Sequence, residues 1–102
     1  MGPRFYILNE HDEPVPVADA IEWARWFETH DEQRVVLQDT IDGTLVSTVF
    51  LGLDHAYDDR RVLIYETLVD GGDLNGEMER YATRDDAVAG HVAMCGRVRR
   101  GE

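Results

Sequence analysis

The dipeptide Asp42-Gly43 constrains this chain most. It lies between Arg34 to Ile41 and Thr44 to Leu53, two runs rich in β-branched residues. Asp-Gly suits the two-residue type I′ turn whose twist matches a right-handed β-ribbon, so these runs are expected to form a hairpin. A third strand, Arg61 to Val69, follows the polar loop Asp54 to Arg60. No crossover segment of about a dozen residues separates it from the second strand, so the two should pair antiparallel. Asp70-Gly71-Gly72-Asp73-Leu74-Asn75-Gly76 is turn chemistry, after which Glu77 to Ala82 can return as a last strand.

Around this meander the sequence places two helices. Phe5 to Leu8 reads as a short strand, Asn9 to Glu13 as a turn, and Pro14 to Val17 as an edge segment or rigid lead into a helix. From Val17 to Thr29 the apolar spacing is helical: Val17, Ala20, Ile21, Ala24 and Phe27 share one side, with Glu22 and Arg25 facing away. Trp23 and Trp26 widen that stripe beyond what packing on one sheet needs. Near the end, Thr83 can cap a helix over Arg84 to Val98, with Asp86 in the capping-box position. Its buried face would carry Ala87, Val88, His91, Met94, Cys95 and Val98, while Gly90 and Gly96 each weaken it by roughly 1 kcal/mol against alanine. The last four or so residues are expected to fray. The whole reads as α+β in the order β-α-β-β-β-β-α, an antiparallel sheet of about four to five strands with two helices on one face.

A chain of 102 residues supplies one domain, residues 1–102. Its formal net charge of -11 repels a nucleic-acid backbone, so direct nucleic-acid binding is not expected. The excess is uneven: residues 1–59 hold 13 acids against 3 arginines, and residues 60–102 hold 8 against 7. All ten basic residues are arginine, which points to a G+C-rich genome. The lone Cys95 excludes an internal disulfide, no apolar run approaches the roughly 20 residues that cross a bilayer, and Met1-Gly2-Pro3-Arg4 does not open a signal peptide. The expected compartment is a reducing cytoplasm.

His91 is the foremost candidate for chemistry, because the helical wheel puts it mid-face with Cys95 one turn later. That i, i+4 spacing permits shared zinc coordination, but two further ligands would have to come from elsewhere. A Cys-His nucleophile pair needs an electropositive setting, and this chain is acidic. The plainer reading is a core histidine bonded to a sheet side chain such as Tyr65 or Thr67. Asp54, His55, Asp58 and Asp59 share one loop but lack EF-hand spacing, so a solvated turn is expected there. The Gly71-Gly72 and Asn75-Gly76 pairs match no phosphate-loop pattern. G-x-S-x-G, H-E-x-x-H and C-x-x-C are all absent, so the reading leans away from an enzyme and assigns neither metal nor cofactor. Should a polar site exist, His91, His55 and Glu66 are its candidates, with Asp54, at a pocket where the strand-end loop meets the last helix. Trp23, Trp26 and Phe27 are the candidates for an interaction surface, a homodimer being the simplest form.

Several segments together resemble a family. Ser47-Thr48-Val49-Phe50-Leu51-Gly52-Leu53-Asp54-His55, Tyr65-Glu66-Thr67-Leu68-Val69-Asp70-Gly71-Gly72, Glu79-Arg80-Tyr81-Ala82-Thr83 and Ala89-Gly90-His91 are similar to a small protein of tailed bacteriophages and prophages, especially those of actinobacteria. The resemblance spans roughly Val15 to Val98 and includes Glu22-Trp23 and Trp26-Phe27. It departs at Leu68-Val69-Asp70, where a more aromatic stretch is expected, and at Asp58-Asp59-Arg60-Arg61, in place of a Gly/Pro-rich turn. It implies a source and carries over no catalytic residue. The resulting expectation is a phage accessory protein in the host cytoplasm that binds a host or phage protein, with host takeover or anti-defence as the role. The alternatives are a small enzyme or ligand binder around His55 and His91, and a minor virion component.

Overall fold

The computed structural model describes residues 4–54 and 62–102. It is an α+β fold. β1 (Phe5–Leu8) and β2 (Pro14–Val17) form a two-stranded arm, followed by α1 (Ala20–Thr29) and the short α2 (Asp31–Arg34). β3 (Val35–Ile41), β4 (Thr44–Phe50), β5 (Tyr65–Asp70) and β6 (Met78–Tyr81) make an antiparallel sheet in sequential order, and α3 (Arg84–Arg100) closes the chain.

The hairpin forms where Asp42-Gly43 requires it, with φ of 48° and 81° at the two residues, and Ile41 opposite Thr44. β4 then alternates with period two: Thr44, Val46, Thr48 and Phe50 are buried and the residues between them are not. The cross-strand register puts Asp39 and Ile41 of β3 and Tyr65, Thr67 and Val69 of β5 on that same face. α3 packs there. A bulge at Val36, between the pairs Val35↔Val49 and Leu37↔Thr48, lets Val36 reach the core as well.

Several boundaries differ from the sequence reading: β5 opens at Tyr65 instead of Arg61, Arg34 closes the unexpected helix α2 instead of opening β3, and three others bear on packing. Val17 does not open the helix but pairs with Phe5 in the arm, and Asp19 caps α1 by accepting from the Ile21 N–H at 2.9 Å. β4 stops at Phe50 because Gly52 adopts a φ of +72°, and its carbonyl instead accepts from the Tyr6 N–H at 2.7 Å. A Cβ at Gly52 would lie 2.5 Å from both the Tyr6 carbonyl and Trp23 Nε1, so the arm docks only against glycine. Finally, α3 runs through Arg100 and is tied at its end. Gly101 takes the left-handed cap conformation, its N–H reaching the Val98 carbonyl and that of Glu102 the Arg97 carbonyl, the Schellman pattern.

The interior is divided. Leu8, Phe50, Ile64, Tyr65 and Ala87 form one apolar cluster, and Val46, Val69, Met94 and Cys95 form another. Between them lies a buried polar layer of Thr48, Thr67 and His91.

Candidate functional site

The polar layer is assembled from five elements. β6 supplies Tyr81, β5 Thr67, β4 Thr48, α3 His91 and β3 Asp39. The Tyr81 hydroxyl donates to Thr67 Oγ1 at 3.1 Å, Thr67 and Thr48 hydroxyls are 2.5 Å apart, and Thr48 Oγ1 lies 2.7 Å from His91 Nδ1. His91 Nε2 is 2.7 Å from Asp39 Oδ2. A hydrogen-bonded row thus crosses the whole sheet beneath α3, from one edge strand to the other.

The proton inventory closes for a neutral imidazole. Tyr81 donates to Thr67, Thr67 to Thr48, Thr48 to Nδ1, and the Nε2–H to the Asp39 carboxylate, so every hydroxyl proton in the row is used. A half-satisfied buried network would cost more than an apolar core, and this one leaves His91 nothing unmade. Gly90 makes the row possible: a Cβ there would overlap the Tyr81 ring and hydroxyl. What the sequence reads as a weak point in α3 is the seat of its neighbour.

Cys95, one turn beyond His91, points its thiol toward Asp39 Oδ2 at 3.9 Å. Burial, followed by the Asp39 charge, pushes the Cys95 thiol pKa upward, with Arg99 opposing. The thiol is therefore held protonated, which removes the nucleophile reading. His91 is 1% exposed. Of the two ends of the row, Tyr81 is half-buried and Asp39 is the more open, with a side chain 51% exposed.

His91 is accordingly a core histidine, but its partners are Thr48 and Asp39 instead of Tyr65 or Thr67. Thr67 is one bond farther along. The Tyr65 hydroxyl has no partner among the described residues. Glu66 does not approach His91: it follows β5 alternation to the opposite face, where it pairs with Arg80 at 3.1 Å. His55, Asp58 and Asp59 lie outside the described residues; Asp54 accepts from the Leu63 N–H at 3.0 Å. The pocket expected where the strand-end loop meets the last helix involves residues 55–61, which lie outside the described residues. A cavity of about 190 Å³ sits at the other end of the sheet, between Asp42, Gly72, Leu74 and Val98.

Sequence reasoning missed Asp39. The signal was its parity with Ile41, two residues on, which places a carboxylate on the inward face of β3.

Trp23, Trp26 and Phe27 are half-buried by their own chain. Trp23 packs between Phe5 and Phe27, and Trp26 stacks on His30 with its edge on Phe50. The Arg34 guanidinium lies 3.6 Å over Phe27. His30 and Thr29 together terminate α1 by bonding the Trp26 carbonyl, the task that glycine performs elsewhere.

The opposite face of the sheet is left uncovered by the described helices. No described helix covers Val35, Leu45, Val49, Leu68 and Met78, of which Val35, Leu68 and Met78 are 40%, 43% and 43% exposed. Its charged residues within the ladder are Glu66, Asp70 and Arg80, two of which neutralise each other. No helix of the described residues is long and apolar enough to cross a membrane. Comparison with protein-family models, with curated proteins and with solved structures finds no match, so function is read from the geometry alone.

Proposed function

We propose that this chain is a phage accessory protein that works by binding another protein in the host cytoplasm, through the uncovered face of its four-stranded sheet. One observation carries the reading: an almost charge-balanced face of mixed character, with exposed Val35, Leu68 and Met78 among Gln38, Thr40 and Ser47, on a molecule of net charge -11. Long-range repulsion discourages close approach of another acidic protein where carboxylates crowd the surface, and this face carries little of that charge. Apolar patches on a folded surface mark interaction sites when they are contiguous, as residues on neighbouring strands are. The partner is a host or phage protein, or a second copy of the chain, and a host-takeover or anti-defence role follows from the first case. The enzyme reading has less support, since His91 is enclosed and Glu66 faces the other way. A minor virion component stays as the rival that purified particles lacking the protein would remove.

The test compares the wild type with Leu68→Arg and Trp26→Ala by sedimentation and by affinity capture from the host. Association present in the wild type and in Trp26→Ala, and lost in Leu68→Arg with unchanged circular dichroism, is the expected outcome. Association that survives Leu68→Arg moves the surface elsewhere, and a lone monomer throughout removes the binding reading.

A further inference from the structure

We infer that Asp39, His91 and Cys95 form a site for a borderline divalent transition-metal ion of the zinc class, in which the ion clamps α3 to the edge strand β3. The site lies beneath α3, on the side of the sheet away from the uncovered face, and the inference is independent of that face.

The three side chains converge on a volume that one ion can fill. One ligand atom from each residue lies within 4.8 Å of the others. Zinc bonds of about 2.0–2.1 Å to nitrogen and oxygen and about 2.3 Å to sulfur require ligand separations of roughly 3.3–3.6 Å. Asp39 Oδ2 stands 2.7 Å from His91 Nε2 and 3.9 Å from Cys95 Sγ, so the first separation must open by about 0.6 Å and the second close by about 0.3 Å. Asp39 is on an edge strand and half-exposed, which allows that adjustment and gives the ion a path from solvent. The fourth corner faces water, as in sites that keep an open position.

Ligand chemistry selects the ion. A thiolate, an imidazole and a single carboxylate favour zinc or cobalt over magnesium or calcium, which take sets made of oxygen. The row behind His91 supplies what a metal-bound histidine needs. With Nε2 on the ion, the ring proton moves to Nδ1 and donates to Thr48 Oγ1, and the row reverses: Thr48 turns to donate to Thr67, Thr67 to the Tyr81 oxygen, and the hydroxyl proton of half-buried Tyr81 turns out of the row. Proton bookkeeping closes with one proton released to solvent, that of the Cys95 thiol. The ring stays neutral.

The experiment titrates Co²⁺ into the reduced, metal-free full chain. One equivalent should produce the intense visible bands of four-coordinate cobalt and a near-ultraviolet thiolate-to-cobalt charge-transfer band, and Zn²⁺ should abolish both. Cys95→Ser should lose the charge-transfer band. Asp39→Asn, at a half-exposed position that leaves the core intact, should weaken binding at least about tenfold, and Thr48→Val, which removes the acceptor for Nδ1–H, about 10- to 100-fold. A wild-type chain that gives only the weak absorption of six-coordinate cobalt overturns the site. So does a charge-transfer band that survives Cys95→Ser, or an affinity that Asp39→Asn does not change.

Discussion

Thr48 and Tyr65 are both fully buried under α3, yet the fold satisfies one hydroxyl and strands the other. Thr48 bonds Thr67 and His91, whereas the Tyr65 hydroxyl has no partner among the described residues. An unmade hydrogen bond at such depth costs about 1–3 kcal/mol, partly recovered by the packing of the ring against Phe50. Tyr65→Phe keeps the ring and removes the cost, so stability at neutral pH should be unchanged or higher by up to about 1 kcal/mol. Alkaline pH should widen the gap. Burial raises the Tyr65 phenol above its ordinary 10.0, with Arg84 opposing and Asp12 adding. The folded state then keeps a proton that the unfolded state releases. Stability is therefore intact below pH 10 and falls as pH rises through the raised value, by at most about 1.4 kcal/mol per pH unit. Phenylalanine has no such proton to lose, while Tyr6 and Tyr81 titrate in both proteins. Urea unfolding of the two proteins on either side of pH 10 checks both statements, and a variant clearly weaker at neutral pH would sink the first.

At the scale of elements, α3 and β6 are fitted to each other through an absence. Propensity alone would have Gly90→Ala stabilise the helix by roughly 1 kcal/mol. The methyl group, however, would enter the space of the Tyr81 ring, which is held in place by its bond to Thr67. Overpacking of that kind costs about 1–3 kcal/mol, so the net effect should be destabilising. In a Tyr81→Ala background the same change should turn stabilising, and a double-mutant cycle of urea midpoints reads the coupling. Simple additivity in the cycle would mean that the contact has no energetic weight. The same elements show what a reader of the sequence can reach. The ladder from β3 to β6 was legible because Asp-Gly sets one register and period-two alternation propagates it. The arm was legible only in part: Phe5 to Leu8 reads as a strand and Pro14 to Val17 as an edge segment or a lead into a helix, and because Val17 also fits a helical stripe, only pairing with Phe5 decides. His91 was legible from the helical wheel. Glu66 could have been dismissed as its companion, since adjacent residues of a strand face opposite ways and Thr67 is the inward one. Asp39 was harder: a carboxylate at inward parity on an edge strand is normally solvated, and its role appears only when α3 brings His91 and Cys95 over it.

Taken whole, the molecule carries its charge unevenly. The arm, α1 and α2 belong to the first 59 residues, with 13 acids and 3 arginines, while α3 ends in Arg97, Arg99 and Arg100. Local pairs offset part of this: Arg97 meets Glu77 and Arg80 meets Glu66, each at 3.1 Å, and Arg34 meets Asp31 at 2.6 Å. Exposed pairs of this kind contribute about 0–1 kcal/mol apiece and are weakened by salt. Against them stands the repulsion among the remaining carboxylates, which salt also weakens, with the opposite effect on stability. The net charge of -11 decides the sign, because unpaired acids outnumber the pairs. Raising NaCl from about 0.01 M to about 0.15 M shortens the screening length from about 30 Å to about 8 Å. Stability should then rise, by on the order of 1 kcal/mol, and further for the folded arm than for the sheet, since the acids concentrate there. Urea is the denaturant to use, because guanidinium would itself screen. Amide exchange resolves the regional part: protection in β1 and β2 should grow with salt more than protection in β4 and β5. A uniform loss of stability with salt would mean that the three ion pairs outweigh the repulsion, and that the acidic lobe is held together by its arginines.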